Sequence, residues 1–290
     1  MTFLRAFTFP DGDREFDYCM GVRRKCYTSY YPFKVLSQRR LERIDFEPVT
    51  ILYGGNGSGK STALHVMAEK AGLKREAPFN RTSFFDDYVA LCGMEAGDVP
   101  PDSRIITSDD VFEQMIAVRE LNDGIDSRRE DVFTAYMEAK HGHVQLRSMA
   151  DYASLRRQNQ ARRQTQSRFV REELGMNVRT FSNGENAFRY FTGAIGENAL
   201  YLLDEPENSL SPRCAQELAQ YIEDSARFMG CQFVIATHSP FVLAIRGAKI
   251  YDLDSDPVTV RRWTELESVR ATYDFFDRHR AAFEQDRGEL

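Results

Sequence analysis

A glycine-rich run at residues 54–61 constrains the fold of this 290-residue chain more than any other feature. The run, GGNGSGKS, matches the pattern G-x-x-x-x-G-K-[ST]. It follows an apolar segment at 49–53 that is typical of a strand, and it precedes a segment at about 60–71 that is typical of a helix. Glycines in that position let backbone N–H groups surround phosphate oxygens, and the start of the helix adds positive potential. The alternative is a glycine-rich turn with a chance lysine, which the flanking strand and helix disfavour.

The run therefore predicts a site for ATP and Mg²⁺. Lys60 is expected to reach the β- and γ-phosphates, and Ser61 is expected to ligate the metal ion. The residues predicted to bind the nucleotide in this region are Gly54, Gly55, Asn56, Gly57, Ser58, Gly59, Lys60, Ser61 and Thr62.

An apolar strand at 200–203 ends in two carboxylates, Asp204 and Glu205. In an open α/β sheet, the carboxyl ends of the strands face the ligand crevice. Asp204 is therefore predicted to hold Mg²⁺, directly or through water, and Glu205 is predicted to act as general base toward the attacking water. A strand that runs into a solvated acidic turn is the alternative, and the intact phosphate loop makes it the weaker one.

Two further segments are weaker signals when each is taken alone. His238 follows an apolar strand at 233–236 and is predicted to contact a γ-phosphate or to orient the water, although a lone histidine after a strand is more often structural. Ser182 and Glu185 fit a capping box before an amphipathic helix. The same helix start, with Gly184, is also suited to bind an anion.

In this order, these segments resemble the motifs of the ABC-type ATPases. Residues 54–61 resemble the Walker A motif, and residues 200–205 resemble Walker B with its catalytic glutamate. Residues 182–185 are similar to the signature, 209–212 lie where the family has its D-loop, and His238 matches the switch histidine. The set is far more specific than any one of its members.

The resemblance covers about residues 45–255 and implies an α/β fold, a P-loop NTPase with the head of an ABC-type ATPase. Its core would be a mixed or parallel sheet, with a helical insert lobe. The expected single domain, 1–290, is divided into a nucleotide-binding lobe at 1–100 and 195–260, a helical signature lobe at about 101–194, and a C-terminal helical tail at 261–290. Helices are predicted at 111–121, 128–140, 150–174, 213–229 and 264–285.

The resemblance also implies a mechanism and partners. Two ATP-bound protomers would stack head to tail, so that Ser182, Gly184 and Glu185 of one protomer serve the nucleotide of the other. Hydrolysis through Glu205 would separate the homodimer. The chain looks most like soluble ATPases related to RecF-, SMC- and OLD-like proteins, which act in DNA repair, chromosome upkeep or phage defence. Several of these pair with a protein effector such as a nuclease.

Two positions depart from the family pattern. No Q-loop glutamine is present where it is expected, and Asp109 is predicted to replace it near Mg²⁺ and water. A helix N-cap at Ser108 or Asp109 is an equally good interpretation. The signature has Asn183 where glycine is common, which predicts slow hydrolysis.

The charge is unevenly distributed along the chain. The formal net charge of −6 is not that of a nucleic-acid binder. Basic segments at 18–43 and 154–171 nevertheless stand against an acidic one at 84–138. The basic segments are suited to track a phosphate backbone, which leaves nucleic acid open as a partner. A solvated face, or pairing with the acidic segment, is the favoured alternative.

Composition indicates a cytoplasmic protein without a membrane partner. No apolar run approaches the roughly 18 residues that span a bilayer, and no signal peptide is visible. The five cysteines are scattered without a C-x-x-C pair, which is typical of reduced thiols.

Three functions follow in order of preference. The first is an ATP-hydrolysing switch that controls a partner effector or a DNA transaction. The second is an ATP-binding scaffold of an effector complex with little turnover. The third is the nucleotide-binding subunit of a transporter, which needs a coupling surface at the Q-loop, where this sequence departs from the pattern.

Overall fold

The computed structural model describes residues 2–22, 27, 29–141, 152–163, 165 and 183–286. These residues form two compact units. The first unit contains the described residues within 1–111 and 183–290, and the second contains those within 112–182.

The first unit is built on a six-stranded sheet, and this sheet confirms the predicted α/β fold. Its strands are β3 (Val49–Tyr53), β5 (Arg104–Thr107), β6 (Leu200–Asp204), β7 (Gln232–Thr237), β8 (Lys249–Asp252) and β9 (Thr259–Arg261). Their order in the sheet is β5-β6-β7-β3-β8-β9. All neighbours are parallel except β9, which runs antiparallel to β8. Every residue of β3, β6 and β7 is buried, because helices and loops cover both faces of the central strands.

A second, three-stranded antiparallel sheet lies beside the first in the same unit. It consists of β1 (Leu4–Thr8), β2 (Arg43–Asp45) and β4 (Gly93–Ala96), in the order β2-β1-β4. The fully buried amide of Gln232 joins the two sheets: its Oε1 accepts from the Leu4 N–H at 2.8 Å, and its Nε2 donates to the Leu4 carbonyl at 2.8 Å. This side chain pairs with the backbone as a neighbouring strand would.

Helices occupy much of the rest of the described chain. In chain order they are α1 (Gly12–Gly21), α2 (Lys60–Lys70), α3 (Phe85–Leu91), α4 (Ser108–His141), α5 (Tyr152–Arg163), α6 (Asn183–Ala194), α7 (Pro212–Phe228), α8 (Pro240–Leu243), α9 (Glu267–Arg278) and α10 (Arg280–Asp286). Among the described residues, no helix has the length and apolar character needed to cross a bilayer.

The helical segments predicted at 111–121 and 128–140 are both confirmed, and they are parts of one helix, because α4 runs through both without a break. The polar stretch between them contains Gly124, which suggests an interruption. A single glycine inside a helix costs only about 1 kcal/mol relative to alanine, so the hydrogen-bonded helix continues through it.

His65, on α2, lies in a partly buried cluster with a cation. Its ring stacks on Phe79 with 4.9 Å between ring centroids, and its Nδ1 lies 3.3 Å from Nη1 of Arg75. The Arg75 guanidinium lies 3.8 Å from the centroid of the Phe79 ring. Burial, reinforced by the charge of Arg75, lowers the pKa of His65 to about 4. The ring is therefore neutral at pH 7 and can accept a hydrogen bond from the guanidinium.

His65→Phe is expected to make the free energy of unfolding less dependent on pH below pH 7. A histidine whose pKa is lower in the folded state contributes stability above its unfolded pKa of about 6.5, and this contribution is lost as the pH falls toward 4. Urea unfolding should show the wild type losing about 2 kcal/mol more than the variant between pH 7 and pH 5. His65→Gln, which also cannot titrate, should flatten the profile equally. A wild-type slope in both variants would contradict the assignment.

Candidate functional site

The glycine-rich run connects β3 to α2, as predicted. Gly59, which immediately precedes α2, has φ +96°, a conformation that residues with a Cβ rarely adopt. Gly54 is required for a different reason, since a Cβ there would lie 2.6 Å from Oγ and 2.8 Å from Cβ of Ser58. Ser58 is itself buried, with only 1% of its surface exposed. The compact loop therefore depends on glycine at both ends.

Lys60 places its ammonium inside this loop. The side chain is only 5% exposed, and its Nζ donates to the carbonyls of Gly54 at 2.7 Å and Gly55 at 3.0 Å. The same Nζ lies 3.9 Å from Oε1 of Glu205. A buried, charged donor held by the loop's own carbonyls is well placed to meet phosphate oxygens.

Ser61 and Asp204 meet across the cleft, as the sequence predicts for a magnesium site. The Ser61 hydroxyl donates to Oδ1 of Asp204 at 3.0 Å. Burial raises the pKa of Asp204 to about 6, and the hydrogen bond from Ser61 opposes this rise. A hydroxyl and a carboxylate are hard oxygen donors of the kind that Mg²⁺ uses together with water and substrate phosphates, so the pair fits this ion. When bound, the ion would supply positive charge to the phosphate oxygens.

Glu205 has an unusual backbone conformation, with φ +46°. Non-glycine residues in this left-handed region are uncommon and cluster at functional sites. The Glu205 N–H donates to the Ala236 carbonyl at 2.9 Å, and the Asn208 amide donates to the Glu205 Oε2 at 3.0 Å. These two hydrogen bonds, from the neighbouring strand and from its own turn, hold the carboxylate in place.

His238 follows β7 and lies beside Glu205. Its Nδ1 is 3.8 Å from Oε1 of Glu205 and also 3.8 Å from Oε1 of Glu207. The side chain is 53% exposed, so the ring is accessible to solvent beside Glu205. The structure thus brings together four of the predicted groups, Lys60, Asp204, Glu205 and His238.

Lys60, Asp204 and Glu205 line a cleft of about 310 Å³. Its lining consists of Asn56, Gly57, Ser58, Gly59, Lys60, Ser61, Thr62, Ser108, Asp204 and Glu205. The predicted residue Asp109 is exposed in the first turn of α4, and Ser108 lines the cleft instead. Asp110 is buried and accepts from the N–H groups of Ala77 and Thr107, both at 2.6 Å. A magnesium-related role for Asp109 stays a prediction.

The structure describes only part of the predicted signature at residues 182–185. Ser182 lies outside the described residues, and Glu185 is exposed in the first turn of α6. Gly184 packs closely on the segment at 209–211: a Cβ on it would lie 3.0 Å from the Ser209 carbonyl and 3.5 Å from the Ser211 nitrogen. The signature helix and the segment predicted as D-loop are therefore in contact within one chain.

The basic segments are also only partly described. Residues 23–26 and 166–182 lie outside the described residues. Arg43 pairs with Asp45 at 2.8 Å and with Glu95 at 2.9 Å, and Arg40 lies 3.6 Å from Asp256. Of these pairs, Arg43–Glu95 joins the basic segment to the acidic segment at 84–138, as the alternative to a nucleic-acid surface predicts, whereas Asp45 and Asp256 lie outside the acidic segment.

Three residues near the cleft were not singled out from the sequence. Asp254 accepts from the N–H of Gly55 at 2.7 Å and so fixes the start of the phosphate loop. The Asn208 amide donates to the Glu205 carboxylate, and the Glu207 carboxylate accepts from the N–H of His238. All three follow a buried strand, β6 or β8, and acidic or amide residues just after such strands are the signal that could have found them.

A family model matches residues 86–244, more than half of the chain, and is described as "AAA domain, putative AbiEii toxin, Type IV TA system". The chain belongs to this AAA-domain family. Its described residues have the parallel α/β sheet and the glycine-rich loop of a P-loop ATPase domain, as the order of motifs predicted. No curated protein sequence matches it significantly.

Solved structures similar to this AAA-domain chain include two SMC heads and an ATP-binding cassette. The Smc head domain of Pyrococcus furiosus, bound to the C-terminal domain of ScpA, is 13% identical over 82% of this chain and 95% of its own, with a TM-score of 0.38. A dimeric ATP-binding cassette bound to ADP and Pi is 15% identical over 78% and 91%, with a TM-score of 0.36. The SMC head domain of Thermotoga maritima is 12% identical over 76% and 92%, with a TM-score of 0.32.

Gly54→Ala is expected to disrupt the phosphate loop, because the new methyl group would overlap the buried Ser58 side chain. Binding of a fluorescent ATP analogue should weaken by about tenfold or more, which corresponds to about 1.4 kcal/mol. Gly55→Ala is the matched control, since a Cβ there would meet only the Asp254 carboxylate, at 3.7 Å from Oδ2 and 4.0 Å from Oδ1, which are ordinary contacts.

Adding Ser58→Gly to Gly54→Ala removes the obstructing atoms and should recover part of the lost affinity. Equal losses in Gly54→Ala and Gly55→Ala would show that the overlap with Ser58 is not the cause.

Proposed function

We propose that this protein is an ATP-hydrolysing switch that dimerises on ATP and thereby controls a partner effector or a DNA transaction, in repair or in phage defence. One observation carries the proposal: Lys60, Ser61, Asp204 and Glu205 line one cleft, where Ser61 donates to Asp204 and Lys60 lies 3.9 Å from Glu205, and His238 lies 3.8 Å from the same glutamate. This arrangement suits phosphoryl transfer, in which positioning and charge provide most of the catalysis.

Each residue has a role in this mechanism. Lys60 and the loop N–H groups bind and neutralise the phosphates. Ser61 and Asp204 would hold the magnesium ion. Glu205 accepts a proton from the attacking water, and His238 orients that water or the γ-phosphate.

Dimerisation supplies the switch. In the proposed closed state, the helix start at Ser182, Gly184 and Glu185 of one protomer faces the nucleotide bound by its partner. The contact of Gly184 with residues 209–211 supports this arrangement, since a change at the D-loop can move the signature helix of the same chain. ATP drives closure only through its higher affinity for the closed dimer.

The proposed partner is a second protein. The family description names a toxin and a Type IV TA system, which supports a pairing with an effector or antitoxin chain. A nucleic-acid partner belongs to the proposal as a second possibility, carried by the basic segments. A cytoplasmic setting accords with the four described cysteines, which are all free thiols.

An ATP-binding scaffold with little turnover is the second candidate. The observation that favours it is Asn183 at the signature position where glycine is common. ATPase measurement on the purified protein, alone and with DNA, RNA or a co-purifying protein, separates the two. Tight ATP binding without hydrolysis in every mixture favours the scaffold, and stimulation by one component identifies the output of the switch.

Lys60→Ala should greatly weaken ATP binding at the cleft. Loss of a buried charged donor is expected to weaken binding about 100-fold, equivalent to about 3 kcal/mol, as measured by equilibrium titration. Lys70→Ala is the matched control, because Lys70 lies at the other end of α2 and donates to the Val89 carbonyl at 3.1 Å. Unchanged affinity in Lys60→Ala would place the nucleotide elsewhere.

Glu205→Gln should separate binding from hydrolysis. The amide cannot accept the proton, so turnover is expected to fall by about 100-fold or more, while ATP still binds. Size-exclusion chromatography with light scattering should then detect an ATP-dependent dimer. Glu217→Gln, at an exposed position of α7, is the control. A monomer with stoichiometric bound ATP would contradict the head-to-tail dimer.

A further inference from the structure

Glu207 carries a buried carboxylate beside the cleft, two residues after Glu205. Its side chain is only 9% exposed, although it follows the end of β6 in a turn at the protein surface. Burying a carboxylate is costly unless hydrogen bonds compensate it. The partners of this carboxylate therefore indicate what it does.

One oxygen of Glu207 collects three donors from consecutive residues at the end of β7 and just after it. Oε1 accepts from the Thr237 hydroxyl, and it accepts from the N–H groups of His238 and Ser239, both at 3.2 Å. The Ser239 N–H also donates to the Thr237 Oγ1 at 2.9 Å. Hydrogen bonds to a charged acceptor are stronger than neutral ones, so this carboxylate is the main attachment of the turn that carries His238.

The His238 ring depends on that attachment. The side chain is 53% exposed, so packing does little to fix the ring, and the backbone at 238–239 determines where it lies. Nδ1 is equidistant, at 3.8 Å, from the carboxylates of Glu205 and Glu207. A shift of the turn by about one ångström would therefore remove the ring from the reach of Glu205.

The other oxygen argues against a role in packing alone. Oε2 of Glu207 is buried and has no hydrogen-bond partner among the described residues. Buried polar atoms are satisfied in most structures, and an exception at a cleft calls for an explanation. The main chain of Glu207 is also engaged, since its carbonyl accepts from the Leu210 N–H at 2.9 Å, in the segment that contacts Gly184.

We propose that Glu207 is a positioning residue for ATP hydrolysis. It couples the turn of Glu205 to the turn of His238, so that both side chains are directed toward the same water and γ-phosphate. The inference rests on the proposed ATPase function. Glu207 itself does not contact the reacting atoms: it acts through the backbone of residues 237–239 and, through Leu210, on the D-loop segment.

The test compares Glu207→Ala with Glu207→Gln in steady-state ATPase assays. Alanine removes the acceptor, and kcat should fall about 10- to 100-fold, the loss expected from misplacing a catalytic group by about 1 Å. KM for ATP should stay within about twofold, because the phosphate loop is untouched. Glutamine keeps an acceptor oxygen and should recover most of the rate.

Thr237 provides a second, independent pair of variants. Thr237→Val loses the hydroxyl that donates to Glu207, whereas Thr237→Ser keeps it. The valine variant should show the same fall in kcat in a weaker form, and the serine variant should stay close to the wild type. Equal activity of Glu207→Ala and wild type, or a loss in Glu207→Gln as large as in Glu207→Ala, would overturn the proposal.

Amide hydrogen exchange separates this inference from the proposed function. In the wild type without nucleotide, the His238 and Ser239 amides should be protected from exchange. In Glu207→Ala they should exchange about tenfold faster or more. In Glu207→Gln their exchange rates should be close to those of the wild type. Unchanged exchange would overturn the anchoring role even if ATPase activity fell. If exchange is faster in Glu207→Ala but the wild type hydrolyses no ATP, the anchoring role is supported and the ATPase proposal is refuted.

Discussion

The parallel pairing of β6, β7 and β3 is the constraint on which the candidate site depends. Their registers place Asp204 opposite Ala236, and Tyr53 opposite Thr237, so three chain segments distant in sequence end at one edge of the sheet. The turns that follow these strands carry the phosphate loop, the acidic pair and His238. Because the three strands are fully buried, the packing of the core fixes their relative positions. The residues of the site follow directly after these strands and are therefore held in fixed positions as well.

Some backbone conformations at this edge are strained, and hydrogen bonds from neighbouring side chains stabilise them. Glu205 adopts a left-handed φ, and the loop before α2 needs glycine at two positions. Residues just beyond the strands hold these turns in shape: the Asn208 amide donates to Glu205, and the Asp254 carboxylate accepts from the Gly55 N–H. A precise site is built here from short turns on rigid strands, and the acidic and amide residues around it stabilise backbone that would otherwise relax.

Much of the site was predictable because its motifs are local. The glycine pattern at 54–61, the acidic end of β6 and the position of His238 after β7 each follow from a buried strand and the residues next to it. The three-stranded sheet could not be predicted, since β1 and β4 are short and far apart in sequence. Around the start of α4, each residue turns by about 100° relative to the last, so the sequence does not tell which of residues 108–110 faces the cleft. The hydrogen bonds of Glu207 depend on how two turns approach each other, which sequence spacing does not determine.

The strand β7 acts as a spacer of fixed length. Its first residue, Gln232, is bonded to Leu4 of the second sheet, and its last residue, Thr237, is bonded to Glu207 beside the cleft. Both side chains are fully buried. Adding or deleting one residue would reverse the facing of the strand beyond that point and detach one of the two ends. Among relatives of this chain, β7 should therefore keep its length of six residues while the surrounding loops vary.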